Sequence, residues 1–478
     1  MSLTRTHKLL AYSIALLATI QISAFAATSD HARKGLTETA LDRYVAKPDP
    51  TYTWKKELSI RDESATAYAI DMTSQTWLTT NEVNRTAWRH WLLIVKPDDL
   101  KYSTALLFIS GGSNKGDKPP APSKDLIEIA KATKSVVAEL KMVPNQPLIF
   151  DNDGHERVED DFIAYTWDKF LRTGDEKWPG RLPMTKSAVR AMDTITAFLA
   201  SPDGGESRVD TFVVAGASKR GWTTWTTAIV DTRVVAICPL VIDVLNTSAS
   251  LRHHYQAYGF YAPAVGNYTA QGLMDWDGTP ENKALFAIED PFSYRDRLTM
   301  PKLLVNACGD QFFLPDSSQF YFDELPGVKY LRYVPNADHS LKKSDAYATL
   351  LAWHEATISK LPLPQFTWNH GPDGAITVVS KTKPKEVRLW QAHNDEGRDF
   401  RLETLGPVWK SEVVAGTDGT FTAQVPKPEK GWTAYMMEMT YDIGAATPLK
   451  LTTNVKVIPD ILPHQLPTVT KPKGFLSK

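Results

Sequence analysis

Val209–Thr227 reads VDTFVVAGASKRGWTTWTT, and its reading decides the fold. An unbroken apolar run, TFVVAG, has strand length and ends on a glycine. Ser218 follows, then Lys219, Arg220 and Gly221, then a tract with helical character. A serine between a buried strand and a helix, beside small residues, is what a nucleophile elbow requires, because the tight turn brings backbone close to its neighbours. Gly216 and Ala217 supply the small residues before Ser218. The usual spacing is G-x-S-x-G. Here Arg220 stands at the second glycine position and Gly221 one place later. Taken alone, the string also fits an ordinary strand-to-helix connection.

The flanking sequence supplies the context. From Thr104 to Lys360, short apolar runs (TALLFIS, SVVAEL, VVAICPLV, KLLVNAC, KYLRYVP) alternate with helical patterns such as DDFIAYTWDKFLR and KSAVRAMDTITAFLA. That alternation predicts an α/β domain on a parallel sheet covered on both faces. The β-rich start, with TYTWKKEL, ATAYAIDM and AWRHWLLIV, is expected to add antiparallel strands at one edge, so the domain spans 36–360. Residues 246–297 are too long for a simple connection and read as a helical insertion, or lid. LPLPQ at 361–365 reads as a linker, and 366–462 carries strand patterns at the spacing of an immunoglobulin-like sandwich. The basic end, 463–478, reads as a solvated tail.

Ligands of open parallel sheets bind at the carboxyl ends of the strands. Three strand ends here carry chemistry. Ser218 is the first. Asp310, after KLLVNACG, can orient a histidine; Asp316, which also reads as a helix cap, is its rival. His339, in PNADHS, can act as general base. The chain order Ser, Asp, His is that of α/β hydrolases. The Lys219 amide and the glycines of LLFISGGSN, with Gly112 foremost, are candidate oxyanion donors. Arg220 is a candidate for pairing with a substrate carboxylate, and Glu159, with Asp160 and Asp161, for binding a substrate amine; helix-surface and helix N-terminal charge are the plainer readings. His253–His254 has no third ligand at metal spacing, and Trp222 and Trp225 fit a packed helix face. Tyr255, Tyr258, Phe260 and Tyr261 read as a substrate wall or as the core of the lid.

The chain has 478 residues, with 54 basic and 55 acidic, and this balance argues against a general nucleic-acid binder. Arg5 and Lys8, the apolar run Leu9–Ile22 and Ala24-Phe25-Ala26 form a secretory signal pattern cleaved near Ala26, which predicts a secreted or periplasmic protein without a retained membrane span. Cys238 and Cys308 are either buried thiols or one bridge.

The stretches LFISGGSN, EDDFIAYTWDKFL, VVAGASKRGWTTW, DPFSYRDRLTMPKLLVNACGDQFFLPDSS and PNADHSL resemble the PhoPQ-activated pathogenicity-related (PqaA-like) proteins over about 36–459. The resemblance implies an exported α/β-hydrolase-like domain with a β-sandwich behind it, a core similar to dipeptidyl-peptidase-like serine hydrolases, and a link to virulence or antimicrobial-peptide resistance. It carries the roles of nucleophile, acid and base onto Ser218, Asp310 and His339, and the lysine-arginine after the serine fits it. The expected activity is a cofactor-free serine hydrolase cleaving a peptide or ester. A carbohydrate esterase of glucuronoyl-esterase type and a secreted, non-catalytic binding or signalling protein are the alternatives.

Overall fold

The computed structural model describes His31 and residues 37–477. The leader read at 1–26 lies outside them. In chain order the first half comprises α1 (Ala40–Ala46), β1 (Thr53–Arg61), β2 (Ala65–Thr76), β3 (Ala87–Pro97), β4 (Thr104–Ile109), α2 (Lys124–Thr133), β5 (Val137–Leu140), α3 (Glu159–Thr173), α4 (Arg181–Ala200), β6 (Thr211–Ala217), α5 (Lys219–Val230) and β7 (Val234–Leu240). Then come α6 (Thr247–Tyr258), α7 (Gly266–Ala270), α8 (Pro280–Glu289), β8 (Lys302–Ala307), β9 (Lys329–Val334) and α9 (Ala346–Ile358).

These strands form one sheet in the order β1-β2-β3-β5-β4-β6-β7-β8-β9. β4 to β9 run parallel, and β1 to β3 join antiparallel through β3–β5. The apolar runs are continuous because both faces are covered. Phe212 and Val214 of β6 pack with Leu182, Ile195 and Trp225 of α4 and α5. Val213 and Ala215 face the other way, into a cluster with Ile129 of α2 and Leu350 and Trp353 of α9. A parallel strand so placed needs no polar face, and truncating one of its buried residues to alanine costs about 2–5 kcal/mol.

The segment expected to be a lid carries α6, α7 and α8, joined by short 3-10 turns. Beyond 366 the chain forms β10 (Phe366–His370), β11 (Ala375–Ser380), β12 (Glu386–Asn394), α10 (Leu402–Leu405), β13 (Lys410–Val413), β14 (Gly416–Thr417), β15 (Thr420–Gln424), β16 (Trp432–Tyr441), β17 (Leu449–Thr452) and β18 (Lys456–Ile458). β10, β11, β15 and β14 make a small sheet. The remaining strands extend the large one: β17 pairs with β9 at Thr452 and Leu331, and β16, β12 and β13 follow. A buried ion pair from Arg332 on β9 to Glu438 on β16 crosses the same junction. The linker therefore separates the two parts in sequence but not in the sheet. β9 would otherwise end it as an open edge, a template for unwanted pairing.

The tail at 463–477 is largely exposed, and a few of its residues are tied to the helices. The His464 amide donates to the Gln256 carbonyl of α6. The Phe475 ring lies 5.5 Å from Phe170 on α3. Glu281 at the start of α8 is fully buried, and its Oε1 accepts from the Gly474 and Leu476 amides at 3.2 and 3.0 Å and from the Ser477 hydroxyl at 2.7 Å. A buried carboxylate needs donors, and the tail supplies them. Glu281→Ala removes three hydrogen bonds of about 1 kcal/mol each, so amide exchange at Gly474 and Leu476 is expected to speed at least ~10-fold. Unchanged protection there, read by hydrogen exchange, would contradict the docked tail.

Candidate functional site

β6 ends at Ala217 and α5 begins at Lys219, leaving one residue to turn the chain. Ser218 does so at φ 60° and ψ −124°, a conformation that costs a side-chain-bearing residue about 1–3 kcal/mol. Its amide donates to the Leu240 carbonyl of β7 at 2.9 Å, and the Trp222 amide donates to its carbonyl at 3.0 Å. The turn closes so tightly that a Cβ on Gly216 would lie 2.7 Å from the Arg220 carbonyl oxygen. A Cβ on Gly221 would lie 2.9 Å from both the Leu240 oxygen and Ile242 Cγ2. This explains the departure from G-x-S-x-G. The second close approach falls at 221, and Arg220 has room for a side chain.

Ser218, Asp310 and His339 come together from the ends of β6, β8 and β9. His339 Nε2 lies 2.8 Å from Ser218 Oγ, and Nδ1 lies 3.0 and 2.8 Å from the two Asp310 oxygens. Asp310 is buried, and its Oδ1 also accepts from the Phe312 and Phe313 amides at 2.8 and 3.3 Å. Gln311 Oε1 accepts from the His339 amide at 2.9 Å, tying the base loop to the acid loop. The imidazole side chain is 17% exposed, with the Phe312 ring 4.4 Å away. A carboxylate accepting from Nδ1–H leaves the Nε2 lone pair to face the serine hydroxyl.

The rival acid, Asp316, is elsewhere. It pairs with His253 of α6 at 3.0 Å and with Arg398, from the loop after β12, at 2.6 Å, all three buried. Burial alone would raise its pKa; Arg398 and His253 outweigh burial and hold it well below the usual carboxylate range. The same C-terminal loop reaches the triad loops. The Leu402 amide donates to the Gly309 carbonyl at 3.0 Å, and a Cβ on Gly309 would strike the Leu402 Cβ at 2.8 Å. Asn336, three residues before His339, donates to the Trp409 carbonyl and accepts from its amide, both at 2.9 Å. Nothing in the sequence marks these partners, which lie some 70–90 residues away.

The proposed substrate charges are engaged with each other. Arg220 donates to both Glu159 oxygens at 2.8 and 2.6 Å, and its guanidinium lies where a Cβ on Gly111 would be. Burial raises the Glu159 pKa, but Arg220, Lys219 and Gln146 bring it down to about 2. Lys219 Nζ pairs with Asp160 at 2.7 Å, and Asp161 accepts from the exposed His155. Of the oxyanion candidates, the Lys219 amide begins α5 and so belongs to its unpaired first turn. Gly112 sits at φ +136°, open to glycine alone, in the loop beyond Ile109, which pairs with Gly216 across β4 and β6. His254 accepts from the Ala262 amide at 2.9 Å, and among the described residues no three His, Cys, Asp or Glu gather as metal ligands. Trp222 and Trp225 are buried, and Trp222 Nε1 donates to the Glu289 carbonyl. Tyr258 and Phe260 lie under the Arg401 guanidinium. Cys238 and Cys308 are free and buried, and burial pushes both thiols up.

One buried acid was not singled out by sequence. Asp243, past the end of β7, accepts from the Tyr321 and Tyr333 hydroxyls at 2.5 and 2.6 Å. Burial pushes its carboxyl up to about 7 against the pull of these two donors. Between about pH 4 and that value the folded state holds a proton the unfolded state has lost, so stability falls as pH rises, by about 1.4 kcal/mol per unit. Asp243→Asn is expected to lose this slope, and denaturant midpoints across that range read it; parallel profiles for the two proteins would refute the assignment. Gly221→Ala is expected to cost about 1–3 kcal/mol by overpacking and to shift Ser218 Oγ away from His339, lowering its labelling by a serine probe. Melting and serine-probe labelling measure both, and an unaltered variant would show the crossing to be looser than described.

The family model described as PhoPQ-activated pathogenicity-related protein matches residues 41–401. The autocrine proliferation repressor protein A of Dictyostelium discoideum is 38% identical over 461 residues, covering 89% of this chain and 91% of that protein. Among solved structures, an acetyl xylan esterase from a Thermoanaerobacterium species is similar at TM-score 0.45 and 16% identity, over 65% of this chain and 90% of its own. The acylaminoacyl peptidase of Pyrococcus horikoshii follows at TM-score 0.39 and 13%, over 64% and 50%. On the family match and the relative's identity along nearly its full length, the chain belongs to the PhoPQ-activated pathogenicity-related protein family.

Proposed function

We propose that the protein is an exported serine hydrolase that cleaves an ester or amide by acyl transfer. The observation that carries this is the unbroken line Ser218–His339–Asp310, mounted on a strained strand-to-helix turn. In this reading His339 Nε2 takes the serine proton as Oγ attacks the carbonyl carbon. Asp310 stabilises the imidazolium that results. The Lys219 amide and the Gly112 loop face the developing oxyanion, and losing one such donor typically costs ~10²–10³ in rate. The imidazolium then protonates the leaving group, water attacks the acyl-enzyme with His339 as base, and the acid leaves with Ser218 regenerated. No step calls for a cofactor. Export rests on the leader pattern at 1–26.

The name of the Dictyostelium relative, a repressor of proliferation, favours a second reading: a secreted signalling protein on a hydrolase fold. The glucuronoyl-esterase reading has less support, because the Arg220 guanidinium is taken up by Glu159.

A fluorophosphonate probe separates the first two. The mature protein is expected to label, Ser218→Ala and His339→Ala to lose the label, and Asp310→Asn to lower turnover by ~10⁴ through the wrong imidazole tautomer. A folded wild type that stays unlabelled would refute the hydrolase and leave the signalling reading.

A further inference from the structure

A cleft opens against the triad, between α3, α5 and the helices of 246–297. Lys219, the residue after the nucleophile, is on its wall, with Phe312 and Phe313, whose rings lie 4.4 and 5.9 Å from His339. Trp222, one turn into α5, continues the wall, and Trp167 of α3 and Tyr268 of α7 close it. Five aromatic residues thus share the lining with five aliphatic ones, Met274 among them.

Its charges are all spent. Three charged side chains line the cleft: Asp160, Lys219 and Arg181. Lys219 pairs with Asp160 at 2.7 Å, and the Tyr268 hydroxyl donates to the other Asp160 oxygen at 3.0 Å. Arg181 pairs with the buried Glu289 at 2.9 Å, its guanidinium 3.8 Å from the centre of the Trp222 ring. Just outside, Arg220 and Glu159 neutralise one another. A substrate ammonium or carboxylate would therefore lose its water without finding a free counter-charge, which costs several kcal/mol. Aromatic walls favour a ring, which they meet edge-on or in offset stacking. Three polar atoms of the lining residues, Trp167 Nε1, Arg181 Nε and Thr247 Oγ1, have no hydrogen-bond partner in the protein, but all three are buried and none is open to the cleft.

We propose that this cleft takes a neutral aromatic group next to the scissile bond. The inference rests on the hydrolase reading and supplies its substrate class. It sets aside free amines and carboxylates, the two charged substrate ends that Glu159 and Arg220 would otherwise invite.

The test is a pH-stat series on the wild-type protein. The substrates are methyl acetate, methyl phenylacetate, benzyl acetate, the methyl half-ester of succinic acid, and glycine methyl ester. Either methyl phenylacetate or benzyl acetate is expected to exceed methyl acetate in kcat/KM by roughly 10²-fold, and whichever leads tells whether the acyl or the alcohol side occupies the cleft. The two charged esters are expected to fall below methyl acetate. Met274→Trp, which fills the cleft, is expected to lower the ring-to-acetate ratio at least ~10-fold. A wild type that takes the fluorophosphonate label but turns over acetyl or charged esters as well as aromatic ones overturns the cleft assignment and leaves the serine hydrolase standing. A folded wild type that neither labels nor turns over any ester overturns both.

Discussion

The turn at Ser218 is the constraint around which the rest is arranged. One residue carries the chain from β6 into α5, at a φ that few side-chain-bearing residues adopt. Such a conformation persists only where its surroundings over-determine it. Here β7 accepts the serine amide, α5 returns a hydrogen bond to its carbonyl, and two glycines let backbone cross backbone. An alanine at either glycine would push α5 off the sheet end and carry Oγ away from His339. The strain lifts the hydroxyl above the sheet, where residues from two other strand ends reach it.

The loops that carry Asp310 and His339 are steadied from the far end of the chain. Leu402 closes on Gly309, and Trp409 holds Asn336 by two hydrogen bonds. Arg398, Asp316 and His253 join the C-terminal loop, the loop after β8 and α6 in one buried cluster. Buried ions are poor sources of net stability, because the cost of dehydration offsets much of their attraction, but removing one partner strands the others. Their effect here is positional. They hold Asp316 against His253 and Arg398, while Asp310 faces His339. The strands beyond 366 thus complete both the sheet and the surroundings of the site.

Charge pairing also shapes what the site can receive. The helix start at Glu159–Asp161 and the lysine-arginine after Ser218 look, in one dimension, like two open charged patches. Folded, they largely cancel: Arg220 with Glu159, Lys219 with Asp160. What remains beside Ser218, Asp310 and His339 is aromatic and aliphatic surface.

Much of this was legible in one dimension because its causes are local. Unbroken apolar runs between helical patterns mark buried parallel strands, and glycine beside serine marks a turn that side chains would block. Strand ends carrying Ser218, Asp310 and His339 follow from those runs. Other features depend on which distant residues become neighbours. Asp310 and Asp316 share one short loop, and only the folded positions of His339, His253 and Arg398 tell them apart. The pairing of β17 with β9 and the docking of the tail on Glu281 join segments separated by more than a hundred residues. The sequence determined the sheet, the turn and the chemical types at its rim, since backbone propensity and hydrophobic period act over a few residues. Tertiary structure alone decided which charges cancel and which side chains touch, since ion pairs and packing act through space.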